Sequence, residues 1–291
     1  MTGVYDIARD VLRWRDEGRS VTVARLLDGH GLAGRDGAPV AAWVEGGEPV
    51  GSPLAARAAG AGPSRVEVVL TDAQAEDVGL ACGGSATVLV QDAADLPEVF
   101  WEALRRGDPV ALVDHEGATT GFGADAVPEP YARFFGRGVS QVVEVADGTL
   151  TTYWPTTRVL VVGGGPVATA LVAQSALLGW AAEVVDGVTP ALDVLRGFGR
   201  ADAVVVLSHD RAVDGPVLAA AAVSSVGYVG AMGSRHTQAA RADWFAARGV
   251  TTGLERIHGP AGLAIGGYGP AEIALSITAE IVAVRSGAAT D

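Results

Sequence analysis

The sequence has no lysine and no asparagine, and all 21 of its basic residues are arginine. Without lysine it can form no Schiff base, has no P-loop lysine and has no lysine general base. A single cysteine excludes an internal disulfide and any multi-thiolate metal site, and it fits a reducing, cytoplasmic setting. The acidic residues number 34, giving a net charge of −13. Such a balance excludes nucleic acid and an anionic membrane as partners, since each needs a basic footprint. No H-E-x-x-H, C-x-x-C or G-x-S-x-G is present, and the five histidines are scattered at 30, 115, 209, 236 and 258. The N-terminus, MTGVYDIARDVLRWRDEG, is charged throughout and has no apolar centre, so no signal peptide is expected. The one long uncharged stretch, Val159–Ala182, is broken early by Gly163, Gly164, Gly165 and Pro166, and reads as strand, turn and helix rather than a membrane span.

What is present is a globular composition: 291 residues, 49% apolar and 19% charged, with a mean hydropathy of +0.29. At roughly 100–200 residues per domain this length predicts two domains, placed at 1–152 and 153–291. The first half reads as mixed α/β. Helices are expected over Asp6–Glu17 and Leu96–Arg106, and strands over Ser20–Leu26, Val40–Val44, Arg65–Leu70, Ala86–Val90, Val110–Val113 and Gln141–Val145, with a hairpin turn over Gly117–Gly123. The second half alternates more regularly. Strands over Arg158–Val162, Ala182–Val185, Ala203–Leu207 and Ser225–Val229 are interleaved with helices over Pro166–Leu178, Pro190–Phe198, Gly215–Ala222, His236–Arg248 and Pro270–Arg285. That alternation predicts a doubly wound parallel sheet of Rossmann type, behind an N-terminal mixed α/β domain.

Three segments carry chemistry. After the first strand of the second half, Gly163-Gly-Gly165-Pro-Val-Ala168 fits G-x-G-x-x-A, and Asp186 ends the next strand, where such folds place the acid that binds a ribose hydroxyl. Pro166 has no N–H and removes one donor from the phosphate cradle. Two readings stay open: a nucleotide-like ligand, or glycines kept only for packing. In Asp77-Val-Gly-Leu-Ala-Cys82-Gly83-Gly84 a thiol lies among flexible residues, fit either to meet a soft metal or sulfur or simply to be buried. Finally Ser208-His209-Asp210 and Gly230-Ala-Met-Gly233-Ser234-Arg235 follow two successive strands. In an open α/β sheet ligands bind at the carboxyl ends of strands, so these loops should meet the glycine turn there. Gly233, Ser234 and Arg235 at a helix start form a candidate anion site, with an N-capping Ser234 as the plainer alternative.

The stretches Tyr228-Val-Gly-Ala-Met-Gly-Ser-Arg235, Ile257-His-Gly-Pro-Ala-Gly-Leu-Ala-Ile-Gly266 and Gly269-Pro-Ala-Glu272-Ile-Ala-Leu-Ser-Ile-Thr-Ala-Glu280-Ile resemble the C-terminal domain of the XdhC/CoxI family. Val78–Gly84 resembles the stretch ahead of that domain, and Leu207-Ser-His209-Asp210 is similar to its T-H-D loop. The sequence departs from the family's pattern at Gly51–Arg57, at Gly163–Pro166 and at Asp186–Val188. The resemblance implies an accessory protein that binds the molybdenum cofactor (molybdopterin), protects it during sulfuration and delivers it to an apo molybdenum hydroxylase such as xanthine dehydrogenase. It implies a cofactor chaperone rather than a turnover enzyme, with a cysteine desulfurase as a second partner and a homodimer as the assembly. The cofactor-binding positions it suggests are Cys82, Gly83, His209, Asp210, Gly233, Ser234 and Arg235, with Cys82 as the metal contact. The alternative is an NAD(P)-dependent oxidoreductase that uses Gly163, Gly165, Ala168 and Asp186, with His209 as acid/base. A non-binding scaffold that docks on a molybdoenzyme is a third.

Overall fold

The structure, a computed structural model, describes residues 3–30, 38–77, 82–208 and 210–288. The chain divides into two compact units: 1–135 with 139–155, and 156–291 with 136–138.

The N-terminal unit runs α1 (Val4–Asp16), β1 (Val21–His30), β2 (Val40–Val44), β3 (Val50–Gly51), α2 (Pro53–Ala56), β4 (Ser64–Leu70), α3 (Asp72–Asp77), β5 (Gly84–Asp92), α4 (Glu98–Arg106), β6 (Val110–His115), β7 (Ala118–Gly123), α5 (Glu129–Phe135), β8 (Gln141–Val145) and β9 (Gly148–Tyr153). It contains a five-stranded sheet of order β3-β2-β1-β5-β4 and a four-stranded sheet of order β7-β6-β9-β8. All pairings in both are antiparallel. Helix α1 forms because Val4, Ile7, Ala8, Val11 and Trp14 recur at helical spacing and are buried together. They share a core with Phe100, Trp101 and Leu104 of α4 and with Val110 and Leu112 of β6. Helix α4 stops at Gly107, whose φ of 69° only glycine adopts cheaply.

The expected turn over Gly117–Gly123 is corrected here. Ala118–Gly123 is a strand paired with β6, and the turn is confined to Glu116 and Gly117. Both have positive φ, 45° and 88°, which gives the backbone twist of a tight two-residue hairpin and lets pairing resume at once.

The C-terminal unit runs β10 (Arg158–Val162), α6 (Pro166–Leu177), β11 (Ala181–Val185), α7 (Val188–Leu195), β12 (Ala203–Val206), α8 (Arg211–Ala222), β13 (Tyr228–Ala231), α9 (Arg235–Ala246), β14 (Ile257–His258) and α10 (Pro270–Ser286). Its five strands lie in the order β11-β10-β12-β13-β14, and every pair is parallel. Val204, Val205 and Val206 of β12 are wholly buried, as a central strand covered on both faces requires. One face packs on α7, α8 and α9, with Leu195, Leu218 and Phe245 in its core. The other packs on α6 and α10 through Leu171, Ala274, Ile277 and Ile281. Helix α10 begins with Pro270, is capped by Glu272, which accepts from the N–H groups of Tyr268 and Gly269 at 2.9 Å each, and ends at Gly287 with φ 68°.

Among the boundaries that move, two bear on the site. The helix expected from Gly215 begins at Arg211, because Asp210 accepts from Ala212 N at 2.8 Å and caps it there. The strand expected over Ser225–Val229 is Tyr228–Ala231. Gly227 approaches so closely that a Cβ on it would lie 2.1 Å from Arg200 O, and pairing with β12 starts only at Tyr228 opposite Ala203. Gly230 and Ala231 therefore belong to the strand, and the loop after it begins at Met232.

Candidate functional site at the carboxyl edge of the parallel sheet

The chain leaves β10 toward β11 on one side and returns to β12 on the other, so the topological switch lies between β10 and β12. Crevices outside the carboxyl ends of strands at such a switch are where open α/β sheets bind ligands. Three of the expected segments end up at this edge. The glycine turn follows β10. Gly163 N–H donates to Val185 O at 2.9 Å, and its φ is 98°. A Cβ there would lie 2.8 Å from Ser208 N, so the glycine is required by the close approach of the loop after β12. Among the described residues nothing lies within 4 Å of where a Cβ on Gly164 or Gly165 would sit. The backbone is open there, as a ligand approaching it needs. Ala168 is buried against the sheet.

Asp186 is exposed at the end of β11, and the Gly163–Val185 bond places its strand end beside the glycine turn. Asp210 is the N-cap of α8, and its own N–H donates to Ser208 Oγ at 3.0 Å. Ser234 is the N-cap of α9, accepting from Thr237 N at 3.3 Å. Both side chains thus have a helix-starting role. His209 lies outside the described residues, and so does the side chain of Arg235; the backbone of Arg235 opens α9. Gly233 has φ 129°, and a Cβ on it would come within 2.9 Å of Thr237 Cβ.

Cys82 and Gly83 belong to the N-terminal unit, at the start of β5. Cys82 is half-buried. Gly83 N–H donates to Asp72 Oδ1 at 2.8 Å, and a Cβ on Gly83 would meet Leu70 O at 2.4 Å. Gly83 is thereby fixed by the packing of β4 against β5. Among the described residues, no group of three or more His, Cys, Asp and Glu is placed to hold a metal ion.

Two charged clusters of the C-terminal unit emerge only with the fold: one pairs residues that carried no sequence signal, and the other joins Tyr228, His258 and Glu280 from three of the resembling stretches. Asp214 of α8 and Arg241 of α9 form a buried ion pair at 2.6 Å. On the α10 face, the Glu280 carboxylate accepts from Tyr228 Oη at 2.5 Å and from Gly262 N at 2.7 Å, and His258 Nδ1 lies 3.3 Å from its other oxygen. Burial, together with the neighbouring carboxylate, pushes the Tyr228 hydroxyl above the ordinary phenol range. Burial pushes Glu280 up, but the bonds from His258, Tyr228 and Gly262 outweigh it and hold Glu280 below the ordinary carboxylate range. Asp214 and Arg241 are acidic and basic residues at unremarkable helical positions, so only the fold pairs them.

Parallel strands, a switch-point glycine turn and open carboxyl-end loops define a Rossmann-type domain. Residues 159–281 match the XdhC Rossmann domain family. A solved structure described as a xanthine dehydrogenase from Bacillus halodurans is similar over 97% of this chain and 95% of that one, at 19% identity and a TM-score of 0.46. Comparison with curated proteins finds no match. Among the described residues no helix is long and apolar enough to cross a membrane.

Proposed function

We propose that the protein is an accessory factor of a molybdenum hydroxylase such as xanthine dehydrogenase, one that binds the molybdenum cofactor as cargo and delivers it to the apo-enzyme. The observation that carries this reading is an XdhC Rossmann domain over 159–281 whose carboxyl edge brings the Gly163 turn, Asp210 and the Gly233–Arg235 loop to adjacent strand ends. The pterin phosphate is assigned to the start of α9, where backbone N–H groups, the positive end of the helix and Arg235 favour an anion. The open backbone at Gly164 and Gly165 gives room for the rest of the cargo. Asp210, which caps α8 after β12, follows the strand between the two, and His209 is assigned to the cargo with it. Cys82, the only thiol of the sequence, is kept as the candidate sulfur contact of the N-terminal unit.

Titration of the purified protein with released molybdenum cofactor tests this. Saturable binding is expected, weakened by Cys82→Ala and Arg235→Ala combined. Absence of binding overturns the function, and binding undiminished by the double variant overturns the site assignment.

A second reading, an NAD(P) dinucleotide at the same edge, is favoured by the exposed Asp186 beside the Gly163 turn. Against it stands Pro166 at the first position of α6, which removes a phosphate donor.

A further inference from the structure

Helices α6 and α10 pack side by side on one face of the parallel sheet, sharing a core through Leu171, Ala274, Ile277 and Ile281. Their far ends are pinned together. Arg285, in the last turn of α10, donates to Thr157 Oγ1 at 2.7 Å, just before β10. Its guanidinium lies 5.2 Å over the ring of Trp180, just after α6. From Arg285 back to Pro270 the helix rises about 22 Å at 1.5 Å per residue, whereas the five residues of β10 span about 16 Å. The start of α10 therefore stands beyond the carboxyl end of β10, on the same face and edge where the glycine turn opens α6.

The loop that leads into α10 from β14 is tied down along its length. Ala261 N–H donates at 3.1 Å to Ala231 O, a carbonyl that also accepts from Gln238 Nε2 of α9 at 3.0 Å. Gly262 N–H donates to Glu280 at 2.7 Å, and Leu263 N–H to Ser276 O at 3.2 Å. The N–H groups of Tyr268 and Gly269 both reach Glu272. Gly262 and Gly267 lie against α10 with no room for a side chain: a Cβ would meet Ser276 Oγ at 2.4 Å and Glu272 Cβ at 2.5 Å. On this fixed backbone the tip is apolar and uncovered. Tyr268 is 91% exposed, the most of any large apolar side chain among the described residues, and Ile265 of the same loop is 51% exposed. The Glu272 carboxylate already occupies this helix start and repels a second anion. What the tip offers is the face of a ring.

We propose that Tyr268 is a stacking platform for a flat heteroaromatic ring, the pterin bicycle of the cargo proposed above. The inference rests on that reading for which ring is bound. The platform itself rests on the exposed Tyr268 side chain, its fixed backbone and its place at the edge where Gly164 and Gly165 leave the backbone open. A stable protein partner needs about 800 Å² of surface on each side, far more than two side chains supply, whereas one aromatic side chain matches one ring. A tyrosine on a fixed backbone has only two side-chain torsions left to order, so it stacks at small entropic cost. Every purine or pterin has such a π-face, so the base of a dinucleotide would use the same platform.

The test compares the full chain with Tyr268→Ala, which removes the ring but keeps the backbone bond to Glu272, and with Tyr268→Trp, which restores a ring. Released molybdenum cofactor and NAD are titrated separately. The pterin absorption band, which loses intensity when the ring stacks, is followed alongside affinity, and thermal unfolding controls for folding. Tyr268→Ala is expected to bind the cofactor about tenfold more weakly and with less loss of band intensity. Its melting temperature should match that of the wild type, because so exposed a side chain packs on little. Tyr268→Trp should recover both affinity and band change. Equal affinity and band change in wild type and Tyr268→Ala overturn the platform and leave the cofactor reading intact. A loss that Tyr268→Trp does not recover also overturns the platform, since the ring face is then not what binds. If the wild type binds NAD and not the cofactor, the cofactor reading falls; the platform stands if that binding weakens in Tyr268→Ala and falls if it does not. If neither probe binds, both fall.

Discussion

In the N-terminal unit Arg25 and Asp114 have side-chain exposures of 0% and 2% and join two antiparallel sheets, β1 supplying the arginine and β6 the aspartate. The contact is two-pronged, at 3.0 and 2.5 Å. The remaining donors are taken by Gln91 of β5 at 3.2 and 2.8 Å, and Thr119 donates to the aspartate at 2.7 Å. In the C-terminal unit Asp214 and Arg241 are almost as buried, yet among the described residues the aspartate uses one oxygen only and the arginine spends Nη1 on a loop carbonyl. The first pair is closed on itself, and fastens one sheet to another. The second is open toward a loop, and fastens that loop to the helix behind it. Burying an ion pair is at best marginal for stability, so its value lies in what it positions, and the two partners' surroundings tell which kind it is.

The contrast predicts a graded set of effects. The largest is at the closed pair. Arg25→Met strands a buried carboxylate and should cost about 3–5 kcal/mol in denaturant melts, whereas Arg25→Met with Asp114→Leu removes both charges and should recover most of it. A double variant as unstable as the single one breaks the comparison. Next is Gly163→Val, which forces a side chain into a φ of 98° and against Ser208 N. A loss of about 1–3 kcal/mol from the strained backbone is expected in thermal melts, accompanied by loss of ligand binding that Arg25→Met at permissive temperature does not show.

A third effect is on pH. Glu280 is held below its ordinary value, near 4.5, by His258, Tyr228 and Gly262. A carboxylate depressed in the folded state contributes stability above its unfolded pKa and loses it as pH falls through the folded pKa. Glu280→Gln should therefore lower stability at neutral pH and flatten its decline below about pH 4.5; an unchanged acid limb removes Glu280 from the account. The smallest effect is at Ser234→Ala, which loses the N-cap of α9 for about 1 kcal/mol and should weaken cofactor binding more than it lowers the melting temperature.

Much of the C-terminal unit was legible in the sequence. Its strands are short apolar runs separated by glycine, and Arg158–Val162 falls where the residues place it, since a buried parallel strand must be apolar throughout. The N-terminal unit was harder. Strand β3 and helices α2, α3 and α5 are too short for periodicity to register, and Ala118–Gly123, with two glycines and two threonines, reads as a turn until β6 is set beside it. At the site, the glycine turn and the two loops could be found because glycine, serine and aspartate at helix starts have local signatures. Arg25, Asp214, Arg241 and Gln238 could not, because a polar residue on a helix or strand reads as solvated until the tertiary partner is known. Gln238 and Arg241 do stand one and two turns beyond Ser234, a spacing that in retrospect aims both at the loop.

The most direct test of the central claim is native mass spectrometry of the freshly purified full chain, produced in cells that make the molybdenum cofactor. The account predicts a co-purified pterin phosphate, released by the Cys82→Ala and Arg235→Ala double variant. A dinucleotide in its place contradicts the account and returns the glycine turn to oxidoreductase chemistry.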